Sequence, residues 1–310
     1  MRIHFAEHNV YFVTNRCLQE RFFFLPKPGI IKIIGSWLAR ALKKYGDGIE
    51  LYGFIFLSNH MHLICKDTKG QLARFMWYFQ LNVAKSINEE LGRKGYFFSR
   101  EYDAAPVLTD EDFEDRYAYI LTNAVKAGLV ARAADGPFFS SLQMALDGEP
   151  RSFVWTDNTL RHIRTRRGQR RAGAEFERRY TLSLSVPPAW RGWSAARRRR
   201  RVAGLVAANE ARYGKARRAE GQGVLGARRI LAQSPRMRPV AASFSPRVKV
   251  FCRDEALAAA YEEAFGRVKA AYRRMLRAAE RASGAGRRSL VEWPPGTYPP
   301  SSMVPVPAAA

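Results

Sequence analysis

Two histidines one residue apart, His60 and His62 in the segment LSNHMHLI (57–64), are the side chains best able to do chemistry in this chain. On a strand, alternate residues leave from one face, so both imidazoles project together while Met61 and Leu63 project from the other. Their Cα atoms then lie about 6 to 7 Å apart, a spacing from which two imidazoles can converge on one divalent ion. A half-buried strand carrying two hydrogen-bonded histidines would look the same, so the metal reading needs a third donor. The segment after Thr109 offers one. At helical spacing, Asp112, Asp115, Arg116, Tyr119, Asn123 and Lys126 share a polar face, and Phe113, Tyr117, Ile120, Leu121 and Ala124 an apolar one. Tyr117 is therefore a core residue, whereas Tyr119 stands one turn from Asn123 over the same patch. Asn123 can give a carbonyl oxygen to a hard cation, and Tyr119 a phenol oxygen to phosphorus. Arg116 or Lys126 is expected to lower the pKa of that phenol. His4, His8 and His162 have no partner at ligand spacing, and Cys65 points away from the histidines, so no His-His-Cys zinc site is expected.

These residues have to be positioned by a recognisable order of elements. Asn9 to Thr14 is a short apolar strand; Ile30, Ile34, Trp37, Leu38 and Ala41 recur at helical spacing before Gly46 and Gly48. Residues 49–57 form a strand apolar on both faces, and His60 to Lys66 pairs with it as a hairpin across Ser58-Asn59. Leu72, Met76, Phe79, Val83 and Ile87 mark a second helix, an extended stretch lies within Tyr96 to Leu108, and Thr109 caps a third helix that ends near Gly128. The order is strand, helix, strand, strand, helix, strand, helix: an α+β, ferredoxin-like antiparallel sheet with helices on one face, plus a further helix. After residue 150 the periodicity weakens, with RHIRTRRGQRR, Pro187-Pro188 and the five arginines 197–201 interrupting it. A long amphipathic helix returns at 254–282, and the tail is Pro-rich. The expected organisation is a catalytic domain at 1–145, an arginine-rich, mainly helical extension at 146–245, an amphipathic helix at 246–290 and the tail at 291–310.

The chain has 310 residues, 47% of them hydrophobic, too apolar for a disordered chain, and no apolar run long enough to span a membrane. Cys17, Cys65 and Cys252 form no CxxC pattern, which fits reduced thiols in a cytoplasm, and no secretory signal opens the sequence. The net charge of +24 is uneven: residues 1–150 contribute +1, 151–240 contribute +18 and 241–310 contribute +5. A block so rich in arginine attracts a polyanion, most plainly nucleic acid. Arg164, Arg166, Arg167, Arg170 and Arg171 are the expected backbone contacts, with Trp155, Tyr180, Trp190, Trp193 and Tyr213 either stacking on unpaired bases or forming a small second core. The run Arg197 to Arg201 cannot face one groove and is not assigned base contacts.

The strand LSNHMHLI and the helix YAYILTNAVKAGLV (117–130) resemble the HUH single-tyrosine transposases, and within them the REP-associated tyrosine transposases, over most of residues 9–130. That family usually has Pro ahead of the Asn of the first motif and Asn-Pro in the helix; here stand Ser58 and Asn123-Ala124, and neither change removes a catalytic group. The resemblance implies a ferredoxin-like fold, His60 and His62 as metal ligands with Asn123 as the third, and Tyr119 as nucleophile. It further implies Mg²⁺ or Mn²⁺ as cofactor, single-stranded or hairpin DNA as substrate, and cleavage and rejoining through a 5′-phosphotyrosine. Related enzymes can pair as homodimers with a shared active site, a choice the sequence does not decide. A catalytically silent nucleic-acid-binding protein and a replication-type nicking nuclease are the alternatives the same residues leave open.

Overall fold

A computed structural model of the chain describes residues 9–167, 173–240 and 248–284, with Trp293, Pro294 and Thr297. His4, His8, Arg170, Arg171 and most of the Pro-rich tail lie outside the described residues. Strand β1 (Val10–Arg16), helix α1 (Pro28–Tyr45), the hairpin of β2 (Ile49–Leu57) and β3 (His60–Asp67), helix α2 (Leu72–Glu90), strand β4 (Asp103–Pro106) and helix α3 (Asp110–Lys126) follow in the order the sequence suggests. The strands lie side by side as β4-β1-β3-β2, all antiparallel, and the short β5 (Phe139–Ser140) extends the β2 edge. The fold is α+β, with a ferredoxin-like sheet. Local sequence sets the helix starts: Pro28 opens α1, where a missing N–H costs nothing, and the Thr109 hydroxyl accepts from the Asp112 N–H at 3.1 Å to cap α3.

Alternation along the strands sends two sets of side chains to two cores. Tyr11, Val13, Met61, Leu63 and Cys65 meet Ile34 and Leu38 of α1 and Phe75, Phe79 and Val83 of α2. Phe12, Tyr52, Ile55, Leu57 and Ile64 meet Tyr117, Ile120, Leu121 and Ala124 of α3 on the opposite face. A bulge between Leu51 and Gly53 resets the parity of β2, so that Leu51 and Phe54 face α1 and α2 while Tyr52 and Ile55 face α3. Gly53 also leaves room for α3: a Cβ there would lie 3.2 Å from the Tyr117 ring.

The arginine-rich region is built onto this frame. After α4 (Leu142–Asp147), strands β6 (Arg151–Thr156) and β7 (Glu177–Leu182), linked through α5 (Asn158–Arg166), form a hairpin packed on α1, on the sheet face away from α3. Helix α6 (Ala195–Ala219) instead runs against α3, followed by α7 (Ala227–Leu231) and the 30-residue α8 (Glu255–Gly284). The weak periodicity at 195–219 therefore conceals a 25-residue helix. Ser194 caps it, its hydroxyl accepting from the Arg197 N–H, and the arginine run forms its first turns. Its buried stripe is only Val202 and Val206 with Gly214, too sparse for the pattern to show against the arginines around it. The run splays as a helix requires: Arg201 pairs with Glu114 of α3, and the Arg197 guanidinium lies 4.1 Å from the centre of the Trp193 ring.

The tryptophans offered for base stacking are built into packing. Trp190 is 2% exposed, set edge-on to Tyr117 and donating its indole N–H to Glu114 at 3.1 Å, with Trp193 stacked upon it. Trp155 rests on Trp37 and Tyr180, with the Arg40 guanidinium 3.7 Å from its ring centre. The tryptophans form no small second core of their own: Trp190 and Trp193 join the core between the sheet and α3, and Trp155 packs on α1 across the sheet. Among the described residues, no helix is long and apolar enough to cross a membrane.

Candidate active site

β3 presents His60, His62 and Ile64 towards α3, and the antiparallel register with β1 sets Arg16 opposite His60 and Thr14 opposite His62. The two imidazole centres are 5.0 Å apart. Each ring is held at one nitrogen: His62 Nδ1 lies 2.8 Å from the Thr14 hydroxyl, and His60 Nδ1 lies 2.7 Å from Asn59 Oδ1. That leaves Nε2 of each ring for other partners. His62 is 6% exposed and His60 half-buried. Burial lowers the pKa of both, further depressed by Arg16 at His60, where it falls to about 4, and by His60, Arg16, Lys126 and Arg116 at His62. Both are neutral near pH 7, the form that ligates metals.

α3 brings its polar face to this pair. The Tyr119 ring centre lies 5.5 Å from that of His62, nearly edge-on, and Phe12 contacts both rings. Asn123, 4% exposed, lies close enough to His60 and Tyr119 for its side chain to favour the charged form of His60 and the phenolate of Tyr119. The four residues singled out from sequence are thus adjacent within one chain. Tyr117, two residues before Tyr119, is buried against Phe113 and Trp190, as its place on the apolar face required.

The electrostatics at Tyr119 differ from expectation. Arg116 does favour the phenolate, but burial has the larger effect, and the pKa of the phenol is raised. Lys126 has its Nζ 4.6 Å from the centre of the Tyr119 ring, above the π face. The sequence reading also missed two contributors, Arg16 and Thr14, and named Tyr213 only as a base-stacking or core candidate. Arg16 and Thr14 share a strand face with Phe12, a pattern visible in the sequence, but only the strand order shows that this face adjoins the histidines. Tyr213 comes from α6, which the sequence does not announce.

The donor set fits a hard or borderline divalent ion: two neutral imidazoles, each engaged at Nδ1, and one amide oxygen, Asn123 standing in for a carboxylate. Among the described residues no cluster of three His, Cys, Asp or Glu side chains is present, so the remaining coordination positions would belong to water or substrate oxygens. Of the expected DNA-binding arginines, the described Arg164, Arg166 and Arg167 are not brought to this site. Arg164 and Arg166 lie in the last turn of α5 and Arg167 follows it, on the hairpin across the sheet from α3, with Arg164 paired to Glu175 at 3.4 Å.

No family model matches the chain, and no curated protein does. Among solved structures, a REP-associated tyrosine transposase bound to a REP hairpin is similar over 47% of this chain and 84% of that one, at 16% identity and a TM-score of 0.40.

Proposed function

We propose that this chain cleaves and rejoins single-stranded or hairpin DNA, with Tyr119 as the nucleophile. The observation that carries the reading is the meeting of Tyr119, Asn123, His60 and His62: the Tyr119 ring is 5.5 Å from that of His62, the two imidazoles are 5.0 Å apart, and Asn123 is buried beside them. The resemblance of LSNHMHLI and YAYILTNAVKAGLV to the HUH single-tyrosine transposases supports it from sequence. Mg²⁺ or Mn²⁺ held by His60, His62 and Asn123 would supply Lewis acidity to the scissile phosphodiester.

The chain's own residues do the rest. The Tyr119 oxygen forms a bond to phosphorus while the bond from phosphorus to the 3′-oxygen breaks, leaving a 5′-phosphotyrosine and a free 3′-hydroxyl. The phenol proton passes to water, and the departing oxygen takes one up. Because the phosphodiester energy is kept in the phosphotyrosine, a second 3′-hydroxyl can reverse the step and rejoin a strand. Burial keeps Tyr119 protonated until a substrate is present. Arg116 then lies where negative charge develops, its guanidinium 5.2 Å from the ring centre.

The test is an adduct assay with labelled oligonucleotides and Mg²⁺, resolved under denaturing conditions. Wild type and Tyr117→Phe should form an adduct, and Tyr119→Phe should form none. With an acceptor strand added, joined product should appear. An adduct that survives in Tyr119→Phe overturns the assignment of the nucleophile, and an adduct never followed by joining makes the chain a nicking enzyme.

A further inference from the structure

Of the arginines expected to hold DNA, Arg164, Arg166 and Arg167 stand on the hairpin over α1, behind the sheet from Tyr119. A different set of cations lies at the site and comes from three segments: Arg16 at the end of β1, Arg116 and Lys126 on α3, and Arg212 on α6. Arg116 and Lys126 are 5.2 and 4.6 Å from the Tyr119 ring centre. Arg212 donates to the Tyr213 hydroxyl at 2.7 Å and is close enough to Lys126 to disfavour its charge. Two of the four have carboxylates: Arg16 meets Glu20 at 2.9 Å, and Arg116 meets Asp115 at 3.4 Å, an acid it shares with Arg253 at 2.7 Å. Lys126 and Arg212 have no acidic partner among the described residues.

Like charges held together without an anion cost stability. Here α6 is fastened so that they stay together: the Asn209 amide donates to the Thr122 hydroxyl at 3.1 Å, and Arg217 donates to the Val125 carbonyl at 3.1 Å, on either side of Arg212. Lys126 is exposed at the edge of the site, yet its ammonium is disfavoured, by desolvation of its inner end first and then by Arg116 and Arg212. An arrangement that costs the free protein stability is relieved when an anion arrives. The phenol that the anion must approach is half-buried beside a buried imidazole and under Phe12. A lone strand can bend a phosphodiester into such a recess, whereas a stacked duplex keeps its backbone outside.

We propose that Arg212 of α6 and Lys126 of α3 hold the phosphates flanking the bond that Tyr119 attacks in a single DNA strand, so that this pair, and not Arg164, Arg166 and Arg167, supplies the larger share of backbone affinity. This rests on the reading of the site as a DNA-processing one and names the residues that grip the substrate.

The experiment measures binding of a fluorescent single-stranded oligonucleotide by anisotropy across a salt series, in a Tyr119→Phe background where no adduct contributes. Each cation that neutralises one phosphate of a single strand adds about 0.7 to the slope of log K against log salt, so Arg212→Gln with Lys126→Gln should lower it by about 1.4. Extrapolated from 1 M to 0.1 M salt, that is about a 25-fold rise in Kd. Arg212→Lys with Lys126→Arg keeps both charges and should restore most of the slope. The triple variant Arg164→Gln, Arg166→Gln, Arg167→Gln should change it less. An unchanged slope in the first double variant, a decrease that persists in the charge-preserving pair, or an equal or larger decrease in the triple variant overturns the proposal. Because binding is read without chemistry, a wild type that forms no adduct would sink the cleavage reading and leave this test standing.

Discussion

The state of two imidazoles governs the site at the residue scale. His60 and His62 are neutral because burial and nearby cations work against their charged forms, and this has a measurable cost in acid. A base whose folded pKa lies below its unfolded value of 6.5 binds more protons when unfolded, so its contribution to stability is complete above pH 6.5 and is lost as pH falls. For His60 the window runs from 6.5 down to about 4. Urea titrations in EDTA should show unfolding free energy decreasing from pH 7 to 5, with a shallower decrease in His60→Gln, His62→Gln. Equal slopes for the two proteins would mean that the imidazoles are not held neutral. The pair itself was legible because strand alternation is a strict period of two. Its partners on β1 were not, since register and strand order are set by residues far apart in sequence.

Elements decide whether those residues meet. α3 was readable in full: a threonine cap, acids in the first turn, and two faces that separate Tyr117 from Tyr119 by their positions alone. α6 was not, because its apolar stripe is thin and the arginines fill the remaining faces. The hairpin of β6 and β7 shows a third situation, in which docking depends on an absence. Gly35 on α1 lets Phe153 lie flat on the helix, and a Cβ there would come within 2.2 Å of the ring. Gly35→Ala should therefore cost about 1 to 3 kcal/mol in urea unfolding even though alanine favours helices. A gain in stability would mean that Phe153 moves aside freely and that the hairpin is not seated there. The site lies on the other face of the sheet, so DNA binding should change little.

For the whole molecule, the charge asymmetry of the sequence does not correspond to a separate basic module. Residues 151–240 hold most of the net charge, yet Trp190, Val202, Val206 and Ile230 share one buried cluster with Tyr52, Phe113 and Tyr117. Trp190→Ala should lower the unfolding free energy by about 3 to 5 kcal/mol, as large aromatic truncations in cores do. A change under about 1 kcal/mol would show that α6 is an appendage. Composition could reveal that the region is basic, but not that a few apolar residues among the arginines seal it to the sheet. The packing of α6 on α3 has one further consequence. The helix that carries Tyr119 is sandwiched, with the sheet beneath and α6 above, so Tyr119 stands beside the histidines of its own polypeptide. Two copies could trade tyrosines only by peeling α6 and its tryptophan plug away as well, which ties reach between protomers to partial unfolding and not to the swing of a hinge.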